Sequence, residues 1–278
     1  MGAFDTNEAA LRTKEKHLSQ LLRGFESVIV AFSGGIDSSL LAFVANRELG
    51  DRSLAVTGVS PSYPASHKQM VSDLTSRFGI RHRIIHTDEF NDASYTSNPA
   101  NRCYYCKSEL YSKLGLLAVE EEFKAICDGT NADDAGDHRP GRLAAREMGV
   151  RAPLMECGLG KSDIRELARR EGLPNWDEPA SACLSSRIPY GQIVTIEKVS
   201  MVDKAETALR RMGFRQVRVR HHGDVARIEL GESDLARALN PELARDILSA
   251  VKSLGFKYVA LDLEGYRSGS LNEVLTKD

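Results

Sequence analysis

Long apolar runs and a disulfide framework are both missing from this 278-residue sequence. The longest uninterrupted apolar stretch covers only residues 40–45, whereas a membrane-spanning helix needs roughly 20 apolar residues. The amino-terminal region carries charges from Asp5 onward, which is unlike the apolar segment of a secretory signal peptide. The five cysteines are too few, and odd in number, for a secreted disulfide scaffold. We therefore expect a cytoplasmic protein with reduced thiols and no membrane partner.

The sequence also lacks an excess of charge of one sign. Thirty-seven basic and 39 acidic side chains leave a formal net charge of −2. Residues 1–186 carry −4 and the remaining residues carry +2. Proteins that bind nucleic acid usually present a strongly basic surface, and neither part of this chain provides one. We expect no nucleic-acid partner.

Predicted strands and helices alternate along the first two thirds of the chain. Short apolar segments predict strands at 27–32, 54–59, 81–86 and 125–128. Apolar residues at helical spacing predict helices at 8–22, from 37 onward, at 66–78 and at 107–123. This alternation predicts an α/β fold with a doubly wound parallel sheet of the Rossmann-like type.

A different order of elements begins after Arg187. Pro-Tyr-Gly at 189–191 interrupts the chain, and the pattern beyond it predicts helices at 196–212 and 232–254 and strands at 216–221, 225–230 and 257–261. The length fits two ordinary domains. We expect a Rossmann-like domain at 1–187 and a smaller C-terminal α+β domain at 188–278.

The strongest motif is Ser-Gly-Gly-Ile-Asp-Ser-Ser at residues 33–39, where a predicted strand turns into a helix. Its two glycines let the backbone approach a ligand and expose consecutive N–H groups. The helix N-terminus adds a dipole that attracts anions. The serines add hydroxyl donors, and Asp37 is suited to holding a divalent cation on bound phosphates. The string is neither a Walker A loop nor a dinucleotide fingerprint.

This string resembles the PP-loop of ATP pyrophosphatases. In that family the loop holds the pyrophosphate of ATP while a substrate oxygen attacks the α-phosphorus. Residues 128–134, Asp-Gly-Thr-Asn-Ala-Asp-Asp, follow a predicted strand, and their equivalent in PP-loop enzymes lines the nucleotide cleft. Taken alone, that segment is an ordinary polar turn. The resemblance implies ATP with Mg²⁺ at Asp37, and an ATP site made by Ser33, Gly34, Gly35, Asp37, Ser38, Val59, Gly129, Thr130 and Asp133.

The cysteines fall into two groups. Cys103 and Cys106 form a C-x2-C pair, a spacing used for metal binding and for redox chemistry. Cys183 lies in the small-residue segment 179–187 beside serines and an arginine, an environment that suits a thiolate. We expect Cys127, which lies in an apolar segment, and Cys157 to be structural.

Three cysteines leave a tetrahedral zinc site one ligand short. They suit a 4Fe-4S cluster with one open iron that binds sulfide or substrate. Two alternatives stay open at this point. One is persulfide chemistry on Cys183 with the C-x2-C pair as reductant, and the other is a purely structural pair.

Over nearly its whole length the chain resembles the LarE family of sulfur-inserting enzymes. Besides the PP-loop, the motifs that carry this resemblance lie at 104–107, 139–141, 175–176, 185–191, 217–220 and 262–269. That family acts in synthesis of the nickel-pincer nucleotide cofactor, where it adenylates a carboxylate of pyridinium-3,5-biscarboxylic acid mononucleotide and replaces a carboxyl oxygen with sulfur. The resemblance implies an AMP- and pyrophosphate-forming sulfurtransferase with a small nucleotide substrate, a sulfide source and homo-oligomeric assembly.

The chain departs from part of that family at one position. Some members give up the sulfur of a cysteine, which becomes dehydroalanine, and Ala182 occupies that position here. The set of Cys103, Cys106 and Cys183 resembles instead the three-cysteine type, similar to cluster-dependent sulfur-transfer enzymes. We expect a cluster-bound sulfide as the sulfur donor, with a sacrificial cysteine as the alternative.

Several charged residues complete the predicted site. We expect Lys107 and Arg187, each close in sequence to a cysteine, to stabilise the adenylate or the substrate. Alternate positions of one predicted strand share a face, and two guanidinium groups on that face suit a phosphate monoester; an ordinary solvated face is the alternative. We expect Glu229 either to balance these arginines or to hold a metal ion. The predicted substrate-binding residues are Ser186, Arg218 and Arg220.

Three rival functions are compatible with some of these residues. A tRNA-thiolating PP-loop enzyme shares the loop and the cysteine pattern but needs a basic RNA-binding surface. An ATP-dependent amide-forming synthetase leaves the three cysteines unexplained. A nucleotide-binding sensor with a structural metal releases no pyrophosphate, which separates it from the enzymes.

Overall fold

A computed structural model describes residues 3–136, 140–179, 182–267, 269–270 and 273. The chain forms two compact units. The first comprises Met1–Ser60, His67–Glu89 and Cys103–Ala180, and the second comprises Pro61–Ser66, Phe90–Arg102 and Ser181–Asp278. Two short segments of the second unit therefore interrupt the first along the sequence.

The first unit contains a four-stranded parallel sheet. Its strands are β1 (Val28–Ala31), β2 (Ser53–Val59), β3 (His82–His86) and β4 (Ala125–Cys127). They lie in the order β3-β2-β1-β4, and each neighbouring pair is parallel. Parallel neighbours need crossover connections, which here contain helices, so the predicted doubly wound α/β fold is confirmed.

The bounds of the helices before residue 188 are α1 (Ala3–Gly24), α2 (Ile36–Leu49), α3 (Ala65–Phe78), α4 (Ala93–Thr96), α5 (Arg102–Glu120), α6 (Pro140–Glu147), α7 (Pro153–Glu156) and α8 (Lys161–Arg170). The four helices predicted in this region correspond to α1, α2, α3 and α5, whereas α4, α6 and α7 were not predicted. The main difference is α5, which begins at Arg102 rather than at Lys107. The C-x2-C pair therefore lies inside a helix.

The core of the first unit has two layers because β1 is buried on both faces. Val28 and Val30 pack into a cluster that includes Leu40 and Leu41 of α2. Ile29 and its neighbours at alternate positions pack into a second cluster with Tyr111 and Leu114 of α5. Each fully buried aliphatic side chain contributes about 1.5–3 kcal/mol relative to exposure. This packing fixes the carboxyl ends of β1, β2 and β4 at one edge of the sheet, where parallel α/β proteins bind ligands.

The second unit contains a small mixed sheet with helices. Its elements after residue 188 are α9 (Ile196–Arg211), β5 (Val217–His222), β6 (Val225–Leu230), α10 (Glu232–Ala238), α11 (Pro241–Lys252) and β7 (Tyr258–Leu261). β5 and β6 are antiparallel, and β7 is parallel to β6. Val217 and Val219 of β5 pack into the core with Phe214, so Arg218 and Arg220 lie on the opposite face. The predicted smaller α+β part is confirmed.

The prediction of one helix over 232–254 is wrong. The chain forms α10 and α11 instead, separated at Leu239 and Asn240. The Asn240 side chain accepts hydrogen bonds from the backbone N–H groups of Glu242 at 3.0 Å and Leu243 at 3.3 Å. Pro241, which cannot continue a helix but starts one well, is the first residue of α11.

Within the described ranges, the helices are all too short or too polar to cross a membrane.

Candidate active site

The loop after β1 is organised by its own serines. Gly34 has a φ of 81°, a conformation that disfavours any residue with a β-carbon. The Ser33 and Ser38 hydroxyl oxygens lie 3.1 Å apart, and Ser33 N–H donates to Ser38 Oγ at 3.2 Å. Ser38 Oγ also donates to the Gly35 carbonyl at 3.0 Å. These bonds hold the loop in a compact turn at the N-terminus of α2.

The start of α2 offers an anion-binding arrangement. Gly35 is the N-cap of the helix and has no side chain that could accept from the first helical N–H groups, while its own N–H donates to Ser33 Oγ at 3.4 Å. Such N–H groups, together with the helix dipole, attract phosphate. Asp37 lies in the first turn and forms an ion pair with Lys161 of α8. The Asn131 side chain donates to the other Asp37 oxygen at 3.4 Å.

The loop after β4 packs directly against this helix start. A β-carbon on Gly129 would lie 2.8 Å from the Ser38 backbone nitrogen and 3.1 Å from the Asp37 carbonyl carbon. Real β-carbons are not found so close to backbone atoms. The structure therefore brings the two predicted nucleotide loops into contact, and only glycine fits at residue 129.

The carboxylates of the second loop shape it. The Asp128 carboxylate accepts from Thr130 N–H at 3.0 Å and from the Tyr111 hydroxyl at 2.6 Å. The Asp133 carboxylate accepts from the Lys161 backbone N–H at 2.7 Å. Lys161 thus contacts both loops, through its backbone at Asp133 and its ammonium group at Asp37.

Three side chains at the loop were not found by sequence reasoning as site residues. Lys161 is the first residue of α8. The sequence signal that could have identified it as a site residue is its position as a basic residue directly after a glycine-rich turn. Asn175 donates to the Gly34 carbonyl at 3.0 Å, although the sequence showed it only as part of a family motif. His67 Nδ1 lies 3.2 Å from the Ser33 carbonyl; because that carbonyl can only accept, Nδ1 carries the proton. Val59 ends β2 and is buried.

Cys103 and Cys106 lie in the first turns of α5, Cys103 exposed and Cys106 half-buried. Residues three apart on a helix share one face. A β-carbon on Gly141 of α6 would lie 3.4 Å from the Cys103 carbonyl oxygen and 3.0 Å from Lys107 Cγ. The start of α6 therefore packs closely against the cysteine-bearing turn.

Lys107 follows the pair, and its surroundings favour the charged form. Its ammonium nitrogen lies 5.1 Å from the centre of the Tyr111 ring. Burial alone would lower the pKa of Lys107, but the Tyr111 phenol and the Asp128 carboxylate outweigh it and raise that pKa. Lys107 is therefore an ammonium group suited to charge stabilisation rather than a general base.

The other two cysteines of the first unit are buried. Burial raises the pKa of the Cys127 thiol, and burial with the nearby Glu156 charge raises the pKa of Cys157 to about 11. Thiols of this kind stay protonated and unreactive. Their location agrees with the structural role expected for both.

In the second unit, Arg187 is fully buried and contacts the loop that carries Cys183. Its guanidinium donates to both Glu206 oxygens, at 2.8 and 3.2 Å. The remaining nitrogen donates to the carbonyls of Ala182 at 2.7 Å and Cys183 at 2.9 Å and to Ser186 Oγ at 2.9 Å. These contacts fix the backbone around the cysteine.

Two further buried arginines hold the same loop. Arg102 donates to the Ser185 carbonyl at 3.0 Å, and Arg220 donates to the Ser186 carbonyl at 2.8 Å. Arg220 also forms two bonds of 2.9 Å to the Glu229 carboxylate. Arg227 adds a third bond to Glu229 at 3.2 Å. Both Glu229 oxygens are thus engaged by guanidinium groups, which favours its expected role of balancing the arginines.

Arg218 lies in a buried group of charged side chains around Glu206. Glu206 accepts from Arg210 at 2.8 Å as well as from Arg187, and Arg218 lies near the same carboxylate. Burial and the charge of Arg187 lower the pKa of Arg218 to about 10. The Arg218 guanidinium lies 5.1 Å from the centre of the Tyr266 ring. Arg187, Arg210 and Arg218 thus lie around the same buried Glu206 carboxylate.

The predicted cysteine set is divided between the two units. Cys103 and Cys106 belong to the first unit and Cys183 to the second. Across the described part of the chain, no three His, Cys, Asp or Glu side chains form a metal site. Of the predicted motif residues, Arg139, Ala180, Ser181 and Ser268 lie outside the described residues.

Comparison with known proteins finds a matching protein family and several similar individual proteins. The NAD synthase family matches residues 11–105. The chain is 43% identical to an uncharacterized protein of Synechocystis over 96% of this chain and 100% of that protein. It is 39% identical to the pyridinium-3,5-bisthiocarboxylic acid mononucleotide synthase of Lactiplantibacillus plantarum, over 97% of both chains. A glutamine-hydrolyzing GMP synthase chain of Thermococcus kodakarensis is 28% identical over 60% of this chain and 57% of its own length.

Proposed function

Because this chain belongs to the LarE family, that of the pyridinium-3,5-bisthiocarboxylic acid mononucleotide synthase, we propose that it is an ATP-dependent sulfurtransferase. Its substrate would be pyridinium-3,5-biscarboxylic acid mononucleotide, a small nucleotide with two carboxyl groups. The observation that carries the proposal is the contact between Gly129 and the start of α2. It joins two loops at the sheet edge where such folds bind ligands.

We assign the ATP phosphates to the N-terminus of α2. The proposed contacts are the backbone and hydroxyl donors of Ser33, Gly34, Gly35 and Ser38. Asp37 is the carboxylate suited to Mg²⁺, because oxygen ligands are what this ion prefers. Lys161 is the cation next to that carboxylate and would contact the phosphates when a metal ion replaces it at Asp37. Val59, Thr130 and Asp133 complete the proposed nucleotide site.

The proposed reaction has two steps. A substrate carboxylate oxygen attacks the α-phosphorus, a new P–O bond forms, and pyrophosphate leaves. A sulfur nucleophile then attacks the carbonyl carbon of the acyl-adenylate, and AMP departs with the original carboxyl oxygen. Positioning and charge neutralisation supply most of the rate in such reactions, and Lys107, whose pKa is raised, provides a cation beside the cysteine-bearing turn.

We propose that Cys103, Cys106 and Cys183 serve the sulfur step. Thiolates are the ordinary ligands of a 4Fe-4S cluster, and two of these thiols share one helix face with solvent access. Such a cluster, when bound, supplies an open iron for sulfide. Ala182 at the position of a sacrificed cysteine supports this assignment over the sacrificial route.

We place the substrate phosphate at Ser186, Arg218 and Arg220 in the C-terminal part, residues 188–278 with the end of the preceding loop. The closeness of Arg218 to Arg187 and Arg210 supports this, because neighbouring guanidinium groups suit a phosphate monoester. We also propose a homo-oligomer mediated by that part, which light scattering coupled to gel filtration would measure.

Pyrophosphate release tests the nucleotide site. Purified protein with ATP, Mg²⁺ and the dicarboxylate substrate should release pyrophosphate, and Asp37→Asn should abolish release while leaving the melting temperature nearly unchanged. With protein reconstituted with iron and sulfide and with sulfide added as the sulfur source, mass spectrometry of the product should show exchange of one oxygen for sulfur. Release without sulfur incorporation would contradict the sulfurtransferase assignment, and unchanged release by Asp37→Asn would contradict the loop assignment.

Anaerobic reconstitution with iron and sulfide tests the sulfur step. We expect a brown iron–sulfur chromophore that is lost in Cys103→Ala, Cys106→Ala and Cys183→Ala. Cys157→Ala, a buried cysteine outside the proposed set, is the matched control and should keep the colour. A colourless protein that transfers sulfur and ends with dehydroalanine at residue 183 would establish the sacrificial route instead.

A further inference from the structure

We propose that Asn175 is a positioning residue of the phosphate loop. Its side-chain amide holds the Gly34 carbonyl so that the loop presents its N–H groups to the phosphates of ATP. This inference rests on the proposed nucleotide site. Asn175 lies in the turn after α8, and its side chain contacts the phosphate loop from there.

The contacts define the task. Asn175 is 1% exposed, and its Nδ2 donates to the Gly34 carbonyl and to Ser39 Oγ, both at 3.0 Å. Ser39 Oγ donates in turn to the Gly35 carbonyl at 2.9 Å. In a planar trans peptide the carbonyl and the next N–H point in opposite directions. Holding these two carbonyls on one side therefore turns the N–H groups of Gly35 and Ile36 to the other side, where the Gly35 N–H lies 3.4 Å from Ser33 Oγ.

The chemistry of the partners fixes the orientation of the amide. A backbone carbonyl only accepts, so the Asn175 atom that faces Gly34 must be the nitrogen. The opposite atom, Oδ1, then has no hydrogen-bond partner within the described ranges. An unpaired buried oxygen costs stability, so asparagine is a poor choice for packing alone. The donated hydrogen bonds explain its presence.

The turn that carries Asn175 is held independently of the loop. Arg165 of α8 donates to the Trp176 carbonyl at 3.0 Å and to the Glu178 carbonyl at 2.9 Å. Leu173, just before the turn, is fully buried. Asn175 is therefore attached to a fixed support, which a positioning residue requires.

ATP affinity measures the proposed role. Binding of a non-hydrolysable ATP analogue with Mg²⁺ would be followed by calorimetry, alongside the KM and kcat for ATP in pyrophosphate release. We expect Asn175→Ala to weaken binding of the analogue and to raise the KM for ATP about tenfold. The variant loses a hydrogen bond and leaves the loop N–H groups less well oriented, and a free-energy loss of that size corresponds to about a tenfold change in affinity. Wild-type protein that fails to bind the analogue would contradict the proposed function. Equal binding by wild type and Asn175→Ala would contradict this inference alone.

The isosteric variant Asn175→Asp adds a pH signature. At neutral pH its carboxylate cannot donate to the Gly34 carbonyl, so we expect weaker binding than for Asn175→Ala. Burial raises the pKa of a carboxyl group, and once protonated it donates again. Affinity should therefore recover as pH falls in Asn175→Asp but not in Asn175→Ala. Absence of this recovery would overturn the proposal.

Asn46 provides a matched control on the same helix. Its Nδ2 donates to the Phe78 carbonyl at 3.3 Å, farther along α2. Asn46→Ala should lower the melting temperature and leave ATP affinity unchanged. Equal loss of affinity in Asn46→Ala would show that general destabilisation, rather than positioning, explains the Asn175 variants.

Discussion

A β-carbon on Gly129 would lie 2.8 Å from the backbone nitrogen of Ser38. This approach joins the loop after β4 to the first turn of α2, although the two residues are far apart in sequence. The neighbour is backbone rather than a flexible side chain, so it cannot move aside without shifting the helix start. The geometry of the proposed phosphate site thus depends on residue 129 being glycine, which has no side chain.

Gly129→Ala should therefore disturb the nucleotide site directly. We expect a destabilisation of about 1–3 kcal/mol from overpacking and a loss of ATP affinity that is larger than general destabilisation explains. Chemical denaturation and calorimetric titration with an ATP analogue would measure the two effects.

Gly115 is the matched control for that variant. It lies inside α5, and a β-carbon there would meet no neighbouring atom within 4 Å in the described part of the chain. Gly115→Ala should therefore stabilise the protein by up to about 1 kcal/mol through helix propensity. ATP affinity should not change. Parallel behaviour of the two alanine variants would contradict the importance of the close approach.

Lys161 should matter for turnover and little for stability. Its ion pair with Asp37 is partly exposed, and such pairs contribute about 0–1 kcal/mol. We expect Lys161→Met to lower pyrophosphate release at least about tenfold, because a cation beside the phosphates stabilises developing charge. Initial rates and melting temperature are the measurements.

Lys14 offers the comparison for Lys161. Its ammonium pairs with Asp163 at 2.7 Å, in the same first turn of α8. Lys14→Met removes an ion pair from that turn without touching either nucleotide loop, so the rate should stay at the wild-type value. A similar rate loss in both variants would assign the effect to α8 as a whole.

Much of the first unit could be predicted because local signals and tertiary packing agree there. The β-branched residues of β1 are buried on both faces, and the glycines after it mark the turn into α2. The same holds for the hairpin of β5 and β6. Prediction missed the first turn of α5, which begins at Arg102 rather than at Lys107. It also failed at Asn240, whose capping bonds outweigh the helical pattern around it.

The candidate site was predictable only where its residues form a motif. Ser33, Gly34 and Asp37 lie within one short segment of the sequence and could be recognised together. Lys161 reaches Asp37 across 124 residues and Asn175 reaches Gly34 across 141 residues. Nothing in the local pattern of either residue encodes that contact, because it arises from how α8 packs against α2.

Arg218 should affect the nucleotide substrate and not ATP. If its guanidinium binds the substrate phosphate, Arg218→Gln should raise the KM for that substrate about tenfold or more, as expected for a charge-assisted hydrogen bond. The KM for ATP should remain at the wild-type value. Steady-state kinetics with each substrate varied in turn would separate the two.

Arg237 is a matched arginine for this test. Its guanidinium also lies over an aromatic ring, 4.5 Å from the centre of Phe214, but away from the Cys183 loop in sequence and contacts. Arg237→Gln should leave both KM values unchanged. A rise in the ATP KM for Arg218→Gln would argue against a site for the substrate phosphate.

The buried Arg187–Glu206 pair should give the second unit an acid-sensitive stability. Burial alone would raise the pKa of Glu206, but the guanidinium of Arg187, with Arg218 and Arg210, outweighs it and lowers that pKa below 4.5. A carboxyl group with a depressed folded-state pKa adds stability that is complete above its unfolded pKa and is lost as pH falls through the folded value. The free energy of unfolding should therefore drop below about pH 4.5.

Glu206→Gln should remove that part of the acid dependence and leave Arg187 buried without its counter-charge. Breaking one side of a buried pair costs about 3–5 kcal/mol, so we expect a large loss at neutral pH. Asp224→Asn, which removes an exposed pair with Lys257 in the same unit, should change the unfolding free energy little. Urea denaturation at a series of pH values would compare them. A Glu206→Gln variant as stable as wild type at neutral pH would show that Arg187 does not need this carboxylate to hold the Cys183 loop.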